Sequence, residues 1–401
     1  MTQLDILSPA GFRAAGVSCG IKTKAGAKDL ALLVADEPAA AAALFTTNKV
    51  AAAPVVLGRE TIKRGRLRAV VVNSGNANAC TGRQGLSDAQ QMACLAAEAV
   101  GARPDDVLVG STGVIGHALP MVKVRAGVAA AAAQLNRAPQ AARDFAEAIM
   151  TTDRGPKTAG VQGRVGRATV IIAGACKGAG MIAPNMATML AYLTTDANIA
   201  PAALRSALKA AADVSFNAIT VDGHTSTNDT VAILASRASG GREIAARSKE
   251  HKVFTSLLTR LCLDLALMIV RDGEGATRLI EIRVEGAASV RDAQRAARAV
   301  ANSPLVKCAV HGGDPNWGRV VSAVGFSGAR MDEKKLRHWI GDELVFARGM
   351  PTRFDRAKCE EHLRGSRVLL RISLGLGRAA YTCYGCDLSK EYVAINADYH
   401  T

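Results

Sequence analysis

Aromatic side chains are scarce in this chain, and that scarcity limits its fold more than any other feature. Phe, Trp and Tyr make up 4% of the residues while 49% are hydrophobic, so the core must be built from Ala, Val, Leu and Ile. At 401 residues the chain is long enough for a large buried core, in one large domain or two or three smaller ones. The composition excludes disorder, collagen and a coiled coil. No run approaches the roughly 18 to 20 uninterrupted apolar residues that a membrane span needs. Residues 1–20 place Asp5 early and lack a basic flank before an apolar core, which argues against a secretory signal. A soluble, cytoplasmic protein with no membrane partner is expected.

Lys and Arg number 50 against 35 Asp and Glu, a formal charge of +15. The excess is scattered through short clusters such as Lys63, Arg64, Arg66 and Arg68. Aromatics rarely sit beside them, so the stacking platform of a single-strand binder is missing, and no zinc finger or RNA-recognition signature accompanies them. The charge reads as a solvated surface that attracts anionic metabolites, not as a nucleic-acid site. Nine cysteines, an odd number without an export signal, read as reduced thiols. Cys383 and Cys386 form one CxxC, but a structural zinc site needs a second pair. The seven histidines never fall at ligand spacing, so no metal is expected.

Residues 67–73 are a mainly apolar run that stops in Asn73-Ser74-Gly75-Asn76, the pattern of a buried strand ending in a turn. Further strands are expected over 16–23, 30–35, 107–109, 167–173, 230–236, 278–284 and 367–374. Helices are expected from Ser87 to about Gly101 and over 118–135, 139–150, 201–213, 249–270, 288–302 and 355–364. Elements alternate irregularly, and no Pro/Gly/Ser-rich linker separates the halves. The chain is a mixed α/β protein.

No GxSxG elbow, HExxH, Walker loop or dinucleotide fingerprint is present. The stretch Gly174-Ala175-Cys176-Lys177-Gly178-Ala179-Gly180 carries a lysine among glycines, but the spacing is wrong for a phosphate loop. Downstream, Ala187-Thr188 lies in an apolar setting, which on composition alone reads as a strand hydroxyl in a core. The sharper alternative is self-processing. A threonine hydroxyl held against the preceding carbonyl can attack it, and cleavage frees an α-amine. That amine's ordinary pKa of about 7.7 suits a general base, so one residue supplies nucleophile and base.

The run Lys177-Gly178-Ala179-Gly180-Met181-Ile182-Ala183-Pro184-Asn185-Met186-Ala187-Thr188-Met189-Leu190 resembles the processing-site motif of the glutamate N-acetyltransferase (ornithine acetyltransferase) family of arginine biosynthesis. Asn73 to Gly82, Ser111 to Gly116, Met150 to Asp153, Asp272 to Thr277, Asp314 to Arg319 and Ile395 to Tyr399 are also similar to family motifs, in the family's order. Several long motifs in register outweigh the bland reading of Thr188.

The resemblance implies an α/β fold shared with self-cleaving aminopeptidases, with mixed sheets and packed helices. It implies a precursor cut between Ala187 and Thr188 into an alpha chain (1–187) and a beta chain (188–401), two of each forming a heterotetramer. Thr188 would be the nucleophile, acetylated by N-acetylornithine and deacylated by glutamate in a ping-pong cycle. Thr112 and Gly113 match the oxyanion hole. Thr152, Lys177, Glu274, Asn396 and the terminal Thr401 match substrate-binding positions, with Lys177 facing a carboxylate and Glu274 the cationic side of an amino acid. No cofactor is implied, and the motifs do not separate members that also take acetyl-CoA as donor from those that do not. Cys176, His224 and His400 depart from the family's usual residues, but none replaces a catalytic group. Asp314 to Arg319, with a buried Trp317, reads as a rigid structural turn. The rival reading is a self-processed amidase or aminopeptidase, against which Lys177, Glu274 and the 396–401 tail argue.

Overall fold

Strand-like runs become strands here because each finds a partner, next along the chain for 157–165 with 168–177 and far away in sequence for 40–45 with 230–235. The computed structural model describes residues 4–183 and 189–398. Its larger sheet holds β1 (Phe12–Val17), β2 (Leu30–Phe45), β3 (Arg66–Asn76), β4 (Val107–Val114), β5 (Lys157–Val165), β6 (Ala168–Lys177), β7 (Leu190–Thr195) and β8 (Thr230–Ala235). Their spatial order is β4-β3-β2-β8-β7-β6-β5, with β1 beside β2. The β3–β4 and β7–β8 pairs are parallel and the others antiparallel. A smaller sheet comprises β9 (Leu279–Ala287), β10 (Arg337–Ile340), β11 (Glu343–Ala347), β12 (Met350–Pro351), β13 (Arg367–Ser373) and β14 (Ala379–Cys386), ordered β12-β11-β10-β13-β9-β14. The expected α/β class with mixed sheets is the observed one.

The helices are α1 (Ala53–Thr61), α2 (Gly82–Val100), α3 (Met121–Ala133), α4 (Pro139–Ala148), α5 (Pro201–Asp213), α6 (Lys249–Arg271), α7 (Val290–Asn302), α8 (Pro304–Gly312), α9 (Trp317–Gly325), α10 (Arg356–Arg364) and α11 (Lys390–Asp398). Of these, α2 to α6 cover both faces of the larger sheet, while α7 to α10 pack on the smaller one. Leu33, Val70 and Val72 pack toward Phe145 of α4, while Leu32, Val34 and Val71 pack toward Met92 of α2 and Val124 of α3. This two-sided burial explains why β3 reads as a continuous apolar run instead of an alternating one. Ile172, Leu193 and Ile233 meet Leu204, Leu208, Phe254, Leu258 and Leu265 of α5 and α6. α6 has the length and composition to cross a membrane, although Arg260 and Asp264 break its apolar run. Here its apolar side fills the main core.

Several expectations shift. The strand expected at 16–23 ends at Val17, because Asp29, fully buried, gathers the amides of Cys19, Ile21 and Lys22 at 2.7, 2.6 and 3.0 Å and bends the chain into a loop. The helix expected from Ser87 begins at Gly82. The Thr81 hydroxyl donates to Asn78 Oδ1, and Asn78 Nδ2 donates to the Gly85 carbonyl. A Cβ at Gly85 would lie 1.8 Å from Thr81 Oγ1, so the earlier start needs that glycine. Trp317 is half-buried and opens α9, capped by Asn316 and stacked on Phe346 at 5.5 Å, where a buried turn residue was expected. Cys383 and Cys386 are free thiols that face different cores.

Candidate active site

The parallel pair β3–β4 loses its regular register after Gly75↔Gly113, and this strand end forms one wall of a cleft. Ser111 Oγ donates to Asn73 Oδ1 at 2.6 Å, and Asn228 Nδ2 donates to the Ala77 and Ser111 carbonyls at 2.7 and 2.8 Å. These buried bonds fix the backbone on either side of Thr112. Gly113 has φ +131°, and a Cβ there would lie 2.3 Å from the Gly75 carbonyl carbon, so only glycine fits so close to β3. The Thr112 side chain makes no hydrogen bond to another described residue and lines the cleft.

Thr112, Gly113, Thr152, Lys177, Glu274 and Asn396 line this one cleft, about 140 Å³ in volume. Six of the nine residues singled out by sequence therefore converge from five separate stretches of chain. The other three, Ala187, Thr188 and Thr401, lie outside the described residues, as does His400. His224 is exposed; its backbone amide donates to Asp222 Oδ1 at 3.1 Å.

Glu274 is the hub of the polar contacts. Thr152 Oγ1 donates to its Oε1 at 2.9 Å and Asn396 Nδ2 to its Oε2 at 3.0 Å. Its own amide donates to the Ala179 carbonyl at 2.9 Å. The tail docks through few contacts: α11 has no buried residue, and in the apolar stretch 392–395 only Tyr392 and Ile395 are half-buried.

Lys177, at the end of β6, is 2% exposed. Burial pushes its ammonium below the ordinary lysine value, and the carboxylates of Asp153, Asp229 and Glu274 oppose that push. For Asp153, burial favours the neutral acid. Lys177, Lys157 and the Gly178 amide outweigh it and hold the carboxyl at about 2. Lys157 bonds Asp153 Oδ1 and Asp272 Oδ2, both at 2.5 Å. Burial lowers the Lys157 ammonium, but the two carboxylates override it and the net shift is upward.

Residues 222–229 supply groups that sequence reasoning missed. Asp222 accepts from Met181 N at 2.6 Å and Ile182 N at 2.9 Å, and Asp229 accepts from Met189 N at 3.0 Å. The two carboxylates thus hold the main chain on either side of 184–188. Burial pushes both upward, Asp229 well above the usual range. The available signal was an acidic residue at each end of a Ser/Thr-rich stretch. Lys157 was missed as well, since an isolated lysine opening a strand carries no local mark. Among the described residues no cluster of three or more His, Cys, Asp or Glu is placed to hold a metal ion.

A model described as the ArgJ family matches residues 13–401. The chain is 53% identical over 397 residues to the arginine biosynthesis bifunctional protein ArgJ of Symbiobacterium thermophilum, covering 99% of this chain and 98% of that one. Its identity to the protein of the same name from Dehalococcoides mccartyi is 47% over 398 residues, covering 99% and 97%. Among solved structures, an arginine biosynthesis bifunctional protein argJ from Bacillus halodurans aligns with a TM-score of 0.50 at 38% identity, covering 52% of this chain and 98% of that one.

Proposed function

This chain belongs to the ArgJ family, and on that premise we propose that it transfers the acetyl group of N-acetylornithine to glutamate in arginine biosynthesis, through an acetyl ester on Thr188. The observation that carries this reading is the cleft itself. One buried ammonium (Lys177) and one carboxylate (Glu274) face the same small-metabolite-sized space as Thr112 and Gly113. Opposite charges across so small a cleft suit an amino acid with a carboxylate at one end and an ammonium at the other. Asn396, Thr152 and Thr401 complete the binding set.

The chain is first cut between Ala187 and Thr188. The Thr188 hydroxyl attacks the Ala187 carbonyl, a C–O bond forms, the C–N bond breaks, and the nitrogen takes the hydroxyl proton. Water then hydrolyses the ester, restoring the hydroxyl and leaving a carboxylate on Ala187 and a free amine on Thr188. In turnover that amine removes the hydroxyl proton as Oγ attacks the acetyl carbonyl. Thr112 Oγ1 and the Gly113 amide receive the oxyanion, each donor of this kind being worth about 3–4 kcal/mol. Collapse breaks the amide bond and ornithine leaves with the proton. The glutamate amine next attacks the ester, Oγ leaves and regains a proton, and N-acetylglutamate forms. No cofactor enters these steps; acetyl-CoA would serve only as an alternative acetyl donor.

Two features favour a two-piece enzyme. The pairs β6–β7 and β2–β8 cross the proposed cut, so pieces 1–187 and 188–401 share one sheet and would stay together, two of each forming a cytoplasmic heterotetramer. The Bacillus halodurans chain is also matched over 98% of its length by only 52% of this one, as one piece of a cut precursor would be.

N-terminal sequencing of the purified protein tests the reading: a new terminus should begin at Thr188, and Thr188→Ala should remain one chain and be inactive. An intact chain with full activity overturns the mechanism. Release of free acetate from acetylornithine without acetylglutamate supports the amidase reading instead.

A further inference from the structure

We propose that Lys157 is a positioning residue that keeps Lys177 available for the substrate's α-carboxylate; the inference rests on the binding role given to Lys177 above. A buried ammonium beside a buried carboxylate ordinarily closes on it, because both charges gain from the contact. Asp153 is such a neighbour of Lys177, with its side chain 0% exposed. Yet Lys177 makes no hydrogen bond to Asp153 or to any other described residue. Three of the roughly four acceptor sites of the Asp153 carboxylate are already taken, both of those on Oδ1 among them. Lys157 Nζ and the Gly178 amide occupy Oδ1 at 2.5 and 2.7 Å, and the Thr151 amide occupies Oδ2 at 3.0 Å.

Lys157 reaches this point because the β5–β6 register sets it opposite Cys176, next to Lys177. It is held on its other side by Asp272 at 2.5 Å, which Arg154 Nε engages at 2.8 Å. The bridge has a second consequence. Asp153 follows Thr152 and Asp272 lies two residues before Glu274, so one lysine sets the spacing of the two groups that bond at 2.9 Å. Without Lys157, Asp153 loses the ammonium bonded to it, and Lys177, the other lysine whose charge acts on it, can turn to it and away from the cleft. The like charge of Lys157 also opposes that of Lys177, which further discourages a closed Lys177–Asp153 pair.

The test compares Lys157→Met, the double variant Asp153→Asn/Lys157→Met, and Lys177→Met. KM and kcat are measured with N-acetylornithine and with N-acetyl-1,4-diaminobutane, which lacks the α-carboxylate. Lys157→Met should raise KM for acetylornithine by about 10–100-fold, the loss of one charge-assisted hydrogen bond, with kcat within about threefold and little change for the diaminobutane analogue. The double variant removes the anion that captures Lys177, so its KM should return to within about threefold of wild type. An unchanged KM in Lys157→Met, or a double variant as impaired as the single, overturns the proposal. If Lys157→Met does not fold, the double variant, which leaves no unpaired carboxylate at position 153, decides by the same threefold criterion. A wild-type KM in Lys177→Met sinks the binding role of Lys177 itself. A raised KM there beside an unchanged one in Lys157→Met sinks only the present inference.

Discussion

Gly180→Ala isolates the contribution of the Glu274 carboxylate to the reaction without touching that residue. A Cβ at Gly180 would lie 2.4 Å from Glu274 Oε2 and 2.6 Å from Oε1, whereas ordinary contact begins at 3.4 Å. The obstructing atoms are the far end of a flexible side chain, so the carboxylate yields and the backbone stays, anchored by the bond from the Glu274 amide to the Ala179 carbonyl. The required retreat is about 1 Å. Added to hydrogen bonds of 2.9 and 3.0 Å, it takes both the Thr152 and Asn396 contacts beyond hydrogen-bonding distance. Bonds to charged groups contribute about 1.5–3 kcal/mol each, and a misplacement of about 1 Å near the chemistry costs up to about a hundredfold. Gly180→Ala should therefore lower kcat/KM for transfer from acetylornithine to glutamate by about 10–100-fold, with folding unaffected. Initial rates of acetylglutamate formation, read beside thermal unfolding, provide the assay. A variant with wild-type kcat/KM refutes the placement of Glu274 in the substrate site; one that unfolds refutes the claim that the side chain yields.

Three further outcomes are expected. Thr112→Val keeps the shape of the side chain and removes its hydroxyl, so kcat should drop about a hundredfold with a smaller change in KM; a kcat within about twofold of wild type removes Thr112 from the site. Deleting residues 396–401 removes the Asn396 amide from Glu274 and, among the described residues 396–398, no buried side chain, so cleavage at Thr188 should persist while kcat/KM falls sharply; a truncated enzyme with wild-type transfer contradicts this. His338 is 1% exposed, and burial holds its imidazole at about 4, below the ordinary 6.5. Its neutral form therefore stabilises the fold fully above about pH 6.5, and that contribution, about 3 kcal/mol, is lost as pH falls toward 4. Urea unfolding of wild type and His338→Leu at pH 7 and 4.5 should show the steeper loss in wild type, and parallel curves would refute it.

Local chemistry in the sequence was sufficient for much of the secondary structure. The helix 201–213 is read to the residue because Pro201 opens it after an extended Ala200, and the apolar run at 67–73 carries the pattern of a buried strand, although β3 continues through Asn76 where a turn was expected. The motifs also named Thr112, Lys177 and Glu274 as belonging together. Their meeting was not legible, because they sit on different strands and turns and converge through the sheet order β4-β3-β2-β8-β7-β6 and the bond from the Glu274 amide to the Ala179 carbonyl. The same holds for the residues that local signals missed. Asp29 bending residues 18–28 out of a strand, and Asn78 and Thr81 starting α2 five residues early, act through side chains reaching backbone that lies elsewhere in the chain or the next turn. The bonds from Lys157 to Asp272, and from Asp222 and Asp229 to the chain flanking 184–188, span 40 to 115 residues. Propensity and periodicity act over a few residues, so they determine which elements exist and which faces are apolar. Which charges share a buried space, and therefore which lysine is bound within the protein and which faces the cleft, was decided by the tertiary structure alone, because electrostatic partners are set by proximity in space.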